Sequence, residues 1–149
     1  MVKDSQGRTQ LKQVRSLVLG ALVVSACGGG GSVFTLDVGT CFDDTGESQI
    51  SSVPEVDCDD LHDNEVFAVF DYTETDTYPG SEAMNEAATD LCIARFEDYV
   101  GQAYSDSPFE VFPITPTQTS WDNGDREVIC ALYNSDFSKL TGSMRGSAG

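Results

Sequence analysis

Residues 16–26, Ser16-Leu17-Val18-Leu19-Gly20-Ala21-Leu22-Val23-Val24-Ser25-Ala26, form an uncharged, mostly apolar run that stops at Cys27, and this boundary decides in which chemical environment the rest of the chain must fold. Lys3, Arg8, Lys12 and Arg15 precede the run, with Asp4 the one acidic residue among them. A basic start, a short apolar segment and small residues before a cleavage point make an export signal, which stays cytoplasmic at its basic end while the apolar part enters the translocon. The run is too short to span a bilayer, which takes roughly 20 apolar residues. Residues 1–26 are therefore read as a signal peptide. The chain from Cys27 onward folds in an oxidising compartment, where paired cysteines persist.

Val24-Ser25-Ala26-Cys27 resembles the lipobox of bacterial lipoproteins. That resemblance implies a diacylglyceryl thioether on Cys27 and an acylated amino group (palmitate or a similar chain), and more than one acyl chain makes a stable anchor. The expected location is the outer face of the cytoplasmic membrane. Gly28-Gly29-Gly30-Gly31-Ser32 follows, so that residues 27–32 read as a lipidated cysteine and a flexible tether reaching at most ~17 Å. A phosphate-binding reading of the glycines fails because no Lys-Ser/Thr follows them.

Of 8 Lys and Arg and 25 Asp and Glu in the 149 residues, four and one respectively lie before Cys27, so the remainder carries four bases (Arg95, Arg126, Lys139, Arg145) against 24 acids, a formal charge of −20. Nucleic-acid binding is excluded as a class, because phosphate contacts need clustered Lys and Arg. The acidic surface is also repelled by anionic headgroups, leaving the lipid as the element that holds the chain at the membrane.

Residues 33–149 are enough for one domain with one core. Once Cys27 is assigned to lipid, Cys41, Cys58, Cys92 and Cys130 remain, a two-disulfide framework with three permitted connectivities that sequence does not choose between. The favoured pairing is Cys41 with Cys58, closing a short loop worth ~3 kcal/mol, and Cys92 with Cys130, joining the main helix to a core strand. Zinc is disfavoured: no CxxC spacing occurs and His62 is the one histidine.

Phe34, Leu36 and Val38 alternate with polar residues as a half-buried strand entering Cys41, with Gln49–Val53 returning beside it. Val66–Phe70 is apolar on both faces, as in a central strand. Ser81 is placed to cap a helix in which Met84, Ala88, Leu91, Cys92, Phe96, Tyr99 and Val100 recur at steps of three and four, and Gly101 stops it. Phe109–Ile114 and Glu127–Tyr133 are two further strands joined through the polar stretch Trp121-Asp122-Asn123-Gly124-Asp125, and the end from Gly142 reads as a loose tail. The expected fold is α+β: an antiparallel sheet packed against one long helix, with two disulfides.

Three local patterns together resemble the septum-formation domain of actinobacterial envelope proteins: Val38-Gly39-Thr40-Cys41-Phe42; Cys58 to Val66 with His62 and Glu65, followed by Phe67–Phe70; and Trp121, Gly124-Asp125-Arg126, Cys130 and Leu140-Thr141-Gly142-Ser143. Tyr78-Pro79-Gly80 and Tyr99-Val100-Gly101, at the two ends of the helix, resemble that family too. One departure is Leu61, where members commonly carry Pro. The resemblance implies a secreted or membrane-tethered domain linked to cell division and envelope assembly, with no established catalytic activity and an unnamed envelope or division protein as partner.

Catalysis is read as absent because His62 has no second base, and neither a G-x-S-x-G elbow nor an H-E-x-x-H helix occurs. No cofactor is expected. Asp57, Asp59, Asp60, Asp63 and Glu65, with Asp43, Asp44 and Glu47 brought near by the first disulfide, make a solvated acidic loop whose spacing does not match an EF-hand. A cation-responsive or ligand-binding lipoprotein is the alternative that this cluster supports, and an envelope hydrolase stands behind it. His62 is expected to fix a turn through a carbonyl or Glu65. Trp121, Asp125 and Arg126 form the candidate recognition patch, since Trp and Arg dominate interface energetics, against the plainer reading of Trp121 packed over a sheet edge.

Overall fold

The computed structural model describes residues 30–32, 36–46 and 52–147. Six antiparallel strands, β1 (Gly30–Ser32), β2 (Cys41–Phe42), β3 (Ser52–Val56), β4 (Asn64–Asp71), β5 (Phe109–Ile114) and β6 (Glu127–Asn134), lie in the order β1-β3-β2-β4-β6-β5. The long pairings are β4 with β6 and β5 with β6, and the first has a register shift between Val66 and Ala68. One 20-residue helix, α1 (Ser81–Val100), crosses one face.

Alternation along β6 separates two cores. Val128, Cys130 and Leu132 face the helix, where Met84, Ala88, Cys92, Phe96, Tyr99 and Val100 return the apolar stripe foreseen from the three-and-four spacing. Ile129 and Ala131 point the other way and join Leu36, Phe42, Val53 and Val66 in a second cluster that holds no helical residue. The curled sheet is thus buried on both faces along its middle.

The disulfides pair as favoured, Cys41 with Cys58 (Cα–Cα 5.3 Å) and Cys92 with Cys130 (5.6 Å). The second ties the middle of α1 to β6, with both cysteines fully buried.

Several local expectations are corrected. The strand entering Cys41 shrinks to Cys41–Phe42, because Val38 and Gly39 form a turn, with Gly39 at φ 97° where a side chain is strained; Phe34 lies outside the described residues. The returning strand is Ser52–Val56, later than Gln49–Val53, and Gln49 is also outside them. Ser81 does not cap α1: Gly80 takes the N-cap at φ 95° without a side-chain bond, and Ser81 becomes the first helical residue. Gly101 closes the helix in the left-handed region, donating its N–H to Glu97 O at 2.8 Å. Part of the supposed polar connection is a short helix, α2 (Gln118–Asp122), started by a capping box between Thr117 and Ser120.

Both stretches read as flexible carry pairing. Gly30–Ser32, assigned to the tether, is hydrogen-bonded to β3 opposite Ser52–Pro54, because a glycine run offers N–H and C=O groups with no side chain to prevent close approach. The end from Gly142, read as loose, is held as far as Gly146 by bonds to distant residues described below. Among the described residues, no helix is long and apolar enough to cross a membrane. Cys27 and residues 1–26 lie outside them.

A buried carboxylate clasp as the candidate functional site

Glu65 and Tyr99 organise the most polar part of the interior. Glu65 sits on β4 directly opposite Cys41 of β2 and is fully buried. A carboxyl group taken out of water costs several kcal/mol unless donors surround it. Here three do: Tyr99 Oη donates to Oε1 at 2.5 Å, Ser143 Oγ to the same oxygen at 2.6 Å, and the Met144 amide to Oε2 at 2.6 Å. Burial and the bond to Glu65 push the Tyr99 hydroxyl up to about 12, which keeps it a donor. The Arg145 guanidinium covers the Tyr99 ring, 4.4 Å from its centroid.

The same donors pull the chain's end onto the sheet. His62 and Leu140 exchange both backbone hydrogen bonds, at 3.1 and 2.8 Å, Gly142 N–H donates to Cys58 O at 2.7 Å, and Gly146 N–H to Tyr99 O at 2.9 Å. Gly39 N–H donates to Val66 O at 2.7 Å, placing the Gly39 turn beside the Tyr99 hydroxyl. Residues 38–42, 58–66, 99–101 and 140–143, far apart in sequence, therefore converge on one clasp.

His62 is fully buried inside it. Its Nδ1 lies 2.9 Å from the Asp60 carbonyl and donates to it. Nε2 is the one buried side-chain polar atom among the described residues that lacks a partner. Cys41, His62 and Glu65 bring one donor atom each within 4.8 Å of one another, the one such trio among the described residues. The Cys41 sulfur is spent in its disulfide, so the oxidised chain offers two donors there, short of the four a closed zinc site takes.

The acidic residues expected to gather around Cys58 do so only in part: Asp43 and Asp44 come up against Asp63, and the others part from them. Glu65 turns inward, Asp57 accepts from the Asp59 amide at 3.0 Å as a turn residue, and Asp63 pairs with Lys139 at 2.9 Å. Lys139 also reaches Asp43 at 2.7 Å. Burial acts to raise the Asp63 carboxyl, but the Asp44 amide and the Lys139 ammonium outweigh it and hold the group below its usual value. Glu47 lies outside the described residues.

Trp121, Asp125 and Arg126 do come together, but facing inward. Trp121 is 4 % exposed, packed by Tyr72 and Tyr78 with centroids 6.2 and 5.7 Å away, while the Arg126 guanidinium lies 3.6 Å over its ring. Arg126 donates to the Trp121 and Asp125 carbonyls rather than to a carboxylate, and Asp125 accepts from the Glu127 amide at the start of β6. This trio holds α2 against the sheet.

Sequence reasoning named Glu65 as one acid of the loop and as a possible partner of His62, and gave Tyr99 and Ser143 no polar role. The available signal was the placement of Glu65 immediately before the apolar run of β4, where a solvated acid has no reason to sit.

An α+β domain stapled by two disulfides and closed by its own C-terminal segment is the class that these observations define. The family model for septum formation matches residues 35–148, and the chain belongs to that family. No curated protein and no solved structure matches it.

Proposed function

We propose that the chain is a lipid-anchored, extracytoplasmic module of septum formation that acts by binding other envelope or division proteins and catalyses nothing itself. The observation that carries this reading is the saturation of the Glu65 carboxylate. The acid of the family-like segment is fully buried and engaged by three donors, the exposed Ser143 hydroxyl among them, so its charge is spent on holding the C-terminal segment to the sheet. Such groups hold backbone segments in register, and the outer surface is left to do the work. Support for the anchor comes from the lipobox-like residues ending at Cys27, and support for the setting from the septum-formation family match.

A fluorescent fusion of the full chain in dividing cells of its native host tests the proposal. Enrichment at the division septum, reduced when Cys27→Ser is expressed in its place, is the expected result. A uniform envelope signal in cells whose septa form normally without the protein would refute the assignment.

A further inference from the structure

The sheet face opposite α1 carries a feature that the clasp does not use. Phe112 on β5, Tyr133 on β6 and Phe137 just beyond it form an aromatic ladder, with centroids 6.0 and 5.6 Å apart and the outer pair stacked at 25°. Phe137 is 79 % exposed and stands at φ 61°, held there by its N–H to the Asn134 carbonyl at 2.8 Å. These rings line a cleft of about 220 Å³ whose other walls include Asp44, Asp63 and Asn64.

Charge in the cleft is not balanced. Of the two carboxylates in its walls, Asp63 pairs with Lys139, which also binds Asp43 outside the cleft, whereas Asp44 forms no ion pair among the described residues. Asp44 Oδ1 accepts from the neutral Asn64 amide at 2.8 Å, so its charge is hydrogen-bonded but not cancelled. Carboxylates beside exposed ring faces favour a cation, which pairs with the acid and lies over the ring at once. The volume suits one side chain.

We propose that this cleft is a docking pocket for a lysine side chain presented by a protein partner. The proposal rests on the interaction-module reading above and gives that partner a chemistry: its docking segment is basic, matched to a domain of formal charge −20. The ammonium sits against Asp44, since both Asp63 oxygens are already held by Lys139 and the Asp44 amide, and its methylene stem lies along Phe137 and Tyr133. A neutral glycan also stacks on aromatic rings, but it leaves the surplus carboxylate charge unanswered.

Calorimetric titration of the full-length chain in detergent is the test, using the capped peptide Gly-Gly-Lys-Gly-Gly, its norleucine counterpart and the trisaccharide of N-acetylglucosamine. The lysine peptide is expected to bind saturably at one per chain, about tenfold more tightly than the norleucine peptide. Asp44→Asn should weaken it by a similar factor, and Phe137→Gly about threefold. The glycine variant removes the ring while relaxing a left-handed backbone, so its loss of binding cannot be ascribed to unfolding. Equal affinity for the two peptides, binding unmoved by both substitutions, or binding of the trisaccharide but not of the lysine peptide would each overturn the proposal. Septal enrichment of the fusion is read separately: its loss with lysine binding intact sinks the septum-module reading, and its persistence without lysine selectivity sinks only the pocket.

Discussion

Tyr99 and Glu65, 34 residues apart, join the last turn of α1 to β4 through a buried hydroxyl–carboxylate hydrogen bond of 2.5 Å. It is the contact through which helix, sheet and C-terminal segment share one group. Tyr99→Phe keeps the ring and removes the donor. Leaving a buried carboxylate one partner short is expected to lower unfolding stability by about 1–3 kcal/mol in chemical denaturation. Tyr104→Phe deletes a comparable bond to the exposed Glu110, and water replaces it there, so a smaller loss is expected. Equal losses would remove the special status of the buried pair.

The same pair sets an alkaline limit. Burial and the Glu65 bond raise Tyr99 from 10.0 to about 12, so the folded state holds its proton more tightly than the unfolded chain. The contribution is complete below pH 10 and disappears as pH climbs from there through 12. The bond to Glu110, with burial second, raises Tyr104 to about 12 as well. Denaturation curves at stepped alkaline pH should show stability falling over this window, less steeply in Tyr99→Phe and least in the double variant with Tyr104→Phe. A slope unchanged in the double variant would contradict the assignment.

The two disulfides are expected to differ in weight. For sequence separations of 17 and 38, the chain-entropy model gives about 3 kcal/mol for Cys41–Cys58 and about 4 kcal/mol for Cys92–Cys130. Replacing the second pair by alanine also leaves a cavity in the helix-facing core, since both cysteines are fully buried. Melting of the two double-alanine variants, after peptide mapping under non-reducing conditions, checks the order. A Cys58–Cys92 peptide would overturn the pairing itself.

Trp121 should behave as a core residue. Trp121→Ala is expected to cost about 3–5 kcal/mol and to disturb the whole fold. Arg126→Ala, which uncovers one face of the indole, should red-shift its fluorescence with a smaller loss. A Trp121→Ala chain of unchanged stability would return that residue to the surface.

Legibility in the sequence followed the range of the interactions involved. The stripe from Met84 to Val100 could be read because one face of a helix is buried along its length, and β4, β5 and β6 because each is a run of apolar residues between turns. β2 could not: two residues become a strand only because β3 and β4 pair on either side of them. α2 has no apolar stripe and owes its start to the reciprocal Thr117 and Ser120 bonds. Ser143 and Met144 look like a tail until Glu65, 78 and 79 residues earlier, accepts from both. Glu65 itself was hidden in an acidic stretch whose other members stay at or near the surface.

The account as a whole depends on where the chain is held. Membranes from cells expressing the full-length protein should be washed in high salt, and the N-terminal peptide of the retained material weighed by mass spectrometry. Wild type is expected in the pellet, beginning at Cys27 with a diacylglyceryl mass on that residue, and Cys27→Ser in the soluble exported fraction. An unmodified Cys27 in the pellet, or Cys27→Ser retained there after the wash, would contradict it.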